Sequence, residues 1–182
     1  MHLRQRLLLC LFLLVTSISA QTDALPFFPE DFKGKWAGTL EIFNGRGLAQ
    51  TVPMELHILP VNDTTFTYTI IYGEDKEAGK RDYLIVRGPD GPHHWVCDEQ
   101  NTILLDGYYL GNVYQSVFTV MGNYLISNLE HRGDHLLYAI QSGKETAIRT
   151  TGDQTHEGEK IPEVKSYKAT GYQRANLRLI QE

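Results

Sequence analysis

Alternation of apolar and polar positions begins in the segment 34–42. Every second position from 36 to 42 is apolar or glycine, while the positions between them carry Ala, Thr and Glu. This period of two is typical of a β-strand with one buried face. Gly34, just ahead of it, provides a turn conformation that a residue with a Cβ resists. The buried face of the predicted strand consists of Trp36, Gly38, Leu40 and Ile42.

Short apolar and aromatic runs of the same kind recur along the rest of the chain. Turn-forming residues separate them, and the strongest turn signal is Gly-Pro-Asp-Gly-Pro at 88–92. The polar stretch 142–163 predicts one long exposed loop, and 164–180 predicts one bent strand or two short strands around Gly171. The other predicted strands are 52–59, 66–72, 82–86, 94–97, 103–105, 113–120, 124–129 and 136–141.

This succession of strands predicts a single all-β domain at 32–182 with few or no helices. Regularly spaced short strands indicate a sandwich or a barrel. We favour a single antiparallel up-and-down β-barrel of about 8–10 strands, because closure leaves no strand edge exposed. Residues 21–31 form an N-terminal extension, in which two prolines flank two phenylalanines and prevent regular strand pairing. We expect this extension to lie as a lid or plug across one barrel end.

The motif Gly34-Lys35-Trp36 at the start of the first strand resembles that of the lipocalin and calycin group. The resemblance implies a calycin-like barrel in which Trp36 plugs the closed end and a basic residue near the chain's end packs across its ring. Arg174 and Arg178 are the candidates, and Arg178 is favoured because leucines flank it. The alternative is that both arginines are solvated. Gly34, Trp36 and Arg178 are therefore the predicted structural residues.

The sequence lacks two helical features of the families in this group. Lipocalins carry a helix between their penultimate and last strands, and no helix is evident at that place in this sequence. Fatty-acid-binding proteins place a pair of helices after their first strand, and this pair is also missing. The resemblance therefore predicts a fold more firmly than it predicts a function.

The first twenty residues predict a cleavable secretory signal peptide. Arg4 and Arg6 form a basic start, an apolar run follows at 7–15, and Ala20 supplies a small residue before the cleavage point. We therefore expect a secreted or periplasmic protein. The run is too short for a permanent anchor, which argues against stable membrane insertion. A lipid-modified Cys10 is the alternative interpretation.

Charge and cysteine content narrow the classes of partner. The formal net charge of −5, with acids and bases interspersed, gives no basic surface for nucleic acid. Once Cys10 leaves with the signal peptide, Cys97 has no partner for an internal disulfide. We interpret Cys97 as a small buried apolar residue on a strand, with a nucleophile or an intermolecular disulfide as alternatives. The oligomeric state stays open.

The candidate residues for catalysis or metal binding lack the spacing that such sites need. His93 and His94 are neighbours on a strand and face opposite ways, and His131 and His135 would need a third ligand to hold zinc. A haem pocket with one axial histidine is conceivable, although no histidine is singled out. Asp98 and Glu99 form a plain polar turn or, alternatively, an acid–base pair. We therefore predict no catalytic residues, no metal site and no cofactor, with haem and zinc unsupported.

The tyrosines are the most informative candidates. Several lie in predicted strands, where a ring and a hydroxyl facing inward would suit an amphipathic ligand. Arg81 and Arg87 share the parity of Tyr83, so they would lie near the barrel rims if that face is the inner one; the opposite parity sends them to solvent. The predicted ligand-binding residues are Tyr68, Tyr72, Arg81, Tyr83, Tyr108, Tyr114 and Tyr138.

These features predict a binding protein for a small hydrophobic or amphipathic ligand, such as a lipid or a pigment, held in the barrel cavity. One alternative is an enzyme of isomerase or hydrolase type that uses the same cavity with Asp98, Arg81 and a tyrosine. Another is a protein-interaction module with a filled core. The interior distinguishes them, because binding needs an open cavity and an interaction module does not.

Overall fold

The computed structural model describes residues 26–181, and in this range it consists of β-strands joined by turns. The elements, in chain order, are a 3₁₀ turn at Glu30–Phe32 and the strands β1 (Gly34–Asn44), β2 (Gly47–Ile58), β3 (Pro60–Asn62), β4 (Thr65–Tyr72), β5 (Lys80–Arg87), β6 (His94–Asp98), β7 (Leu104–Leu110), β8 (Val113–Val120), β9 (Asn123–His131), β10 (His135–Thr151), β11 (Thr155–His156), β12 (Glu159–Lys160) and β13 (Val164–Leu179). The described part of the chain contains no helix long and apolar enough to cross a membrane.

Ten of these strands close into one antiparallel barrel, which confirms the predicted fold class. Each barrel strand pairs with the next one along the chain, and the short β3 extends the sheet beside β4. The last strand, β13, returns between β10 and β1, where Trp36 lies opposite Leu179. The topology is therefore the expected up-and-down meander, closed by its first and last strands.

The inner face of the barrel carries the core, as the alternation predicts. In β1, Trp36 is 5% exposed and Leu40 is buried, and in β2 every second residue from 54 to 58 is buried. Gly34 has a φ of 142°, and a Cβ there would collide with the side chain of Leu179. The indole of Trp36 therefore enters the barrel through a turn that favours glycine.

The segment before β1 closes one end of the barrel. Phe28 and Phe32 are fully buried, and the Phe28 ring stacks on Tyr114 with ring centroids 4.2 Å apart. Trp36 Nε1 donates a hydrogen bond of 3.0 Å to the carbonyl oxygen of Phe32. We call residues 26–32 the plug, because their buried rings fill this end of the barrel. The signal peptide at 1–20 and the first residues of the extension lie outside the described part of the chain.

The predicted loop at 142–163 is wrong over its first ten residues, which continue β10 as far as Thr151. Within the described residues, 147–151 pair with the start of β13 beyond the last pairings of β9 and β1. This two-stranded extension, which we call the ribbon, is mostly exposed on both faces. Because neither face is buried, no alternation marks it in the sequence. The small hairpin of β11 and β12 lies in the remainder of the predicted loop.

The predicted packing of Arg178 across Trp36 is wrong. The side chain of Arg178 is 71% exposed, and its Nη1 pairs with Asp134 Oδ2 at 2.6 Å. In β13, Leu177 faces the core and Arg178 faces outward, as strand alternation requires. Arg174 also points outward and pairs with Glu41. The alternative of two solvated arginines is the correct one.

Candidate functional site

The barrel contains a cavity of about 190 Å³ between the plug and the opposite end, which we call the mouth. The strand ends at the mouth include Tyr72 of β4 and the start of β5. Apolar walls are supplied by Ile70, Leu105, Phe118 and Ile140. Five of the predicted ligand-binding tyrosines line this cavity: Tyr68, Tyr72, Tyr83, Tyr114 and Tyr138.

Strand parity brings these tyrosines together from distant parts of the sequence. In β4 and β10, alternate residues face inward, so Tyr72 and Tyr138 meet across the cavity. Their hydroxyl oxygens are 3.3 Å apart, and one hydroxyl donates to the other. Tyr114 uses its hydroxyl differently, donating to the carbonyl oxygen of Trp95 at 3.0 Å. Tyr114 therefore forms the cavity floor, and the Phe28 ring of the plug stacks on it.

Gly107 makes room for that floor. It lies within β7, although the sequence placed it in a connection between strands. A Cβ on Gly107 would collide with the ring of Tyr114, so the glycine allows the ring to lie flat against the backbone. The glycine interrupts the apolar run, which explains why the predicted strand 103–105 was too short.

The remaining polar groups of the cavity are mostly neutral. The Ser116 hydroxyl donates to the carbonyl oxygen of Asp106 at 2.7 Å, while Ser127 and the hydroxyl of Tyr68 make no hydrogen bond to another described residue. Burial raises the pKa of Tyr68 and Tyr138 well above the usual range of a phenol. These hydroxyls therefore stay protonated and can donate to a ligand.

Cys97 also lies in the cavity wall, and its thiol is buried, as the sequence predicts. Burial raises the pKa of Cys97 to about 12, and the negative charges of Glu99 and Asp98 add to this effect. The thiol is therefore uncharged at neutral pH and unsuited to act as a nucleophile.

Glu99 is a cavity residue that the sequence analysis interpreted as part of a turn. It follows β6 directly and keeps the inward parity of Trp95 and Cys97, so its half-buried side chain lines the mouth side of the cavity. Among the described residues, it is the only charged side chain in the cavity lining. The signal that identifies it is the spacing of two from Cys97 on the same strand face.

Arg81 does not line the cavity, although it has the predicted parity. It lies at the start of β5 on the rim of the mouth, where its side chain is exposed. Its Nη1 donates to the carbonyl oxygens of Ala78 and Lys80, at 3.2 and 2.7 Å. Burial raises the pKa of Tyr72 and Tyr83, and the positive charge of Arg81 lowers both values by a smaller amount. Arg81 is therefore a rim residue.

Tyr108 is a wrong prediction, because its ring lies on the outer wall. The ring stacks on His94 with centroids 4.7 Å apart, and its hydroxyl donates to Asp90 Oδ2 at 3.1 Å. His94 is 2% exposed and is fixed by Asp106 Oδ1 at 2.8 Å and by the backbone N–H of Asp90. The inward residue of this pair is Tyr109, which packs against the plug. Because both residues are aromatic, composition could not decide the parity of β7.

The other candidate groups do not assemble into a catalytic or metal site in the described residues. His131 packs against Phe32 and Trp36, whereas His135 pairs with Asp134 on the surface. Asp98 accepts a hydrogen bond from the backbone of Gln100 within a turn. Across residues 26–181, no three His, Cys, Asp or Glu side chains are grouped as a metal site requires.

A larger groove of about 530 Å³ lies on the outer wall rather than inside the barrel. We call it the outer groove; Val117, Tyr124 and Ile126 of the wall face Tyr167 of the ribbon across it. Val117 and Tyr167 are exposed, so the groove is a surface feature open to solvent. It encloses a ligand less completely than the internal cavity does.

Comparisons with known proteins support the fold and leave the family undefined. No family model matches the chain, and no curated protein matches it. Among solved structures, the chain is similar to the S-type phycobiliprotein lyase CPES from Guillardia theta, with a TM-score of 0.53 and 8% sequence identity. The match covers 84% of this chain and 93% of the lyase. The likeness is one of fold alone, and it supports the closed antiparallel barrel without assigning the chain to a family.

Proposed function

We propose that this protein binds a small hydrophobic or amphipathic ligand in the barrel cavity. The observation that carries the proposal is the cavity of about 190 Å³ inside a closed barrel, lined by five tyrosine rings. Native interiors are close-packed, so an open interior of this size in an otherwise filled core favours a binding function. Rings with protonated hydroxyls suit a ligand that has an apolar body and at least one polar group.

The cavity volume limits the ligand. An engineered cavity of about 150 Å³ in another protein binds benzene, so a cavity slightly larger accommodates a ligand with roughly one ring. A haem or another four-ring pigment exceeds this volume, and a lipid chain would enter only in part. We therefore narrow the proposal from lipids and pigments in general to compounds with one ring or a short chain.

The positions of the polar groups favour binding over catalysis. The enzyme hypothesis requires Asp98, Arg81 and a tyrosine to act together, but Asp98 belongs to a turn and Arg81 is held by backbone carbonyls on the rim. Glu99 stands without a second carboxylate or a histidine in the described lining of the cavity. A carboxylate pair that acts as acid and base would need two such groups within reach of one substrate.

The signal peptide predicted at 1–20 would place this binding activity outside the cytoplasm, in a secreted or periplasmic protein. We include this location in the proposal on the strength of the sequence pattern alone. Sequencing the amino terminus of the protein purified from its own host tests it. Cleavage before Gln21 is the expected result, and an intact Met1 would contradict it.

Native mass spectrometry of the same material tests the binding function directly. We expect a co-purified small molecule, and we expect one-ring compounds to raise the melting temperature in a thermal-shift panel. Ser127→Leu fills the cavity and should abolish this shift, while Thr119→Leu on the outer wall should preserve it. A clean apo mass together with no thermal shift across the panel would refute the proposal.

A further inference from the structure

We infer that the polar end of the ligand is a protonated amine that faces Glu99. The inference rests on the proposed function and specifies the chemical class of ligand that the cavity prefers. It depends on three observations: the placement of Glu99 in the cavity lining, the neutrality of the other lining groups, and the position of Arg81 on the rim.

Glu99 lines the cavity, and no neighbouring cation neutralises its carboxylate among the described residues. Its Oε2 accepts a hydrogen bond of 3.2 Å from Asn101 Nδ2, and Oε1 makes no hydrogen bond to another described residue. None of the salt bridges among residues 26–181 includes Glu99. A half-buried carboxylate without a counter-ion is stabilised by a ligand that brings one.

The rest of the described lining carries no charge that would attract an anion. The tyrosine hydroxyls and the thiol of Cys97 stay protonated because burial disfavours their charged forms. Arg81 lies on the rim rather than in the cavity lining, and its Nη1 is bonded to two backbone carbonyls. A ligand carboxylate inside the cavity would therefore meet the negative charge of Glu99 without a positive side chain in the described lining.

The aromatic walls of the cavity also favour a cationic ligand. The face of a tyrosine ring attracts a cation within about 6 Å of its centroid, and Tyr83 lines the cavity together with Glu99. The cavity volume restricts the apolar part to about one ring, as argued above. The preferred ligand is therefore an arylalkylamine, with its ring between the tyrosines and its ammonium group at the mouth.

Isothermal titration calorimetry with three probes of similar size tests this inference: 2-phenylethylamine, 2-phenylethanol and phenylacetate at pH 7. We expect the amine to bind most tightly and phenylacetate most weakly. Glu99→Gln keeps the shape and removes the charge, so it should weaken binding of the amine by roughly 10- to 100-fold. The same substitution should leave binding of the alcohol nearly unchanged.

Asp98→Asn is the matched control, because it removes the same charge from the neighbouring residue, whose side chain belongs to the turn outside the cavity. It should leave the preference for the amine intact. Equal affinities for the three probes, or an amine affinity that Glu99→Gln does not change, would overturn the inference while leaving the proposed function standing. Failure of all three probes to bind would count against the proposed function and this inference together.

Discussion

At the scale of single residues, Cys97 shows how the barrel interior changes ordinary chemistry. A cysteine thiol in water ionises near pH 8.5, whereas burial raises the pKa of Cys97 to about 12. The folded state therefore holds the thiol proton more tightly than the unfolded state does. By linkage, the resulting stability is fully present below about pH 8.5 and is lost as the pH rises towards 12.

The first prediction follows from this difference. Between pH 8 and pH 10, the free energy of unfolding should fall by roughly 1 to 2 kcal/mol through Cys97 alone. Tyr68 and Tyr138 act in the same direction, because burial raises their pKa values as well. Urea titrations at several pH values measure the loss, and Cys97→Ser should show a smaller one. The same pH dependence in both proteins would contradict this explanation.

The second prediction concerns Trp36, whose ring is buried at the plug end. Replacing Trp36 by Ala should cost about 3 to 5 kcal/mol of stability, because it removes a large side chain from a packed core. Arg178→Ala should leave the unfolding midpoint nearly unchanged, since its ion pair with Asp134 is exposed. Denaturant unfolding compares the two variants. A large loss for Arg178→Ala would instead support the packing of Arg178 across Trp36, which the structure contradicts.

At the scale of elements, the plug is the part that a strand pattern does not describe. It stays outside the ladder because of its prolines, yet its aromatic rings fill the end of the barrel. Phe28 contacts Phe32, Trp95 and Tyr114, whereas Phe27 is 41% exposed. The two neighbouring phenylalanines therefore provide a matched comparison.

The third prediction uses that comparison. Phe28→Ala should destabilise the protein by about 3 to 5 kcal/mol, whereas Phe27→Ala should have a much smaller effect. Because the Phe28 ring supports Tyr114, we also expect Phe28→Ala to weaken ligand binding at the cavity floor. Urea unfolding and thermal shift with a one-ring compound measure the two effects. Similar losses for the two variants would show that residues 26–32 do not plug the barrel.

How much of each element could be predicted depended on how its two faces differ. β1 and β2 bury one face more deeply than the other, so their alternation located them and their inward residues correctly. In β7, the adjacent Tyr108 and Tyr109 gave no contrast between the faces, and Tyr108 was predicted to face inward where the structure places Tyr109. The parity of a strand follows from its sequence only where its two faces differ in polarity.

The candidate site was predictable to the same extent and for the same reason. Five tyrosines could be named because they lie in predicted strands, although the sequence left open which face is the inner one. Glu99 was named only as part of a turn or, alternatively, of an acid–base pair with Asp98, because it follows the last regular residue of β6 in a polar stretch typical of a turn. Deciding that its side chain points inward required the register of the closed barrel.

At the scale of the whole molecule, the two ends of the barrel differ in construction. The plug fills one end with rings, whereas the cavity lies towards the mouth, where the carboxylate of Glu99 and the exposed Arg81 are found. The ribbon extends from the same end as the mouth, because β10 and β13 continue there beyond the last pairings of their other neighbours. A ligand would therefore enter at the end with less packed structure.

The fourth prediction is that β10 has two levels of stability. Residues 136–141 pair with strands on both sides and include the buried Leu136 and Tyr138, so their amides should exchange only on global unfolding. Residues 147–151 pair on one side only, with β13, so their amides should exchange through local opening. Hydrogen–deuterium exchange with mass spectrometry measures both segments in one experiment, and 164–169 and 173–178 of β13 provide an internal replicate. Uniform protection along β10 would contradict the prediction and would mean that the ribbon is as stable as the barrel wall.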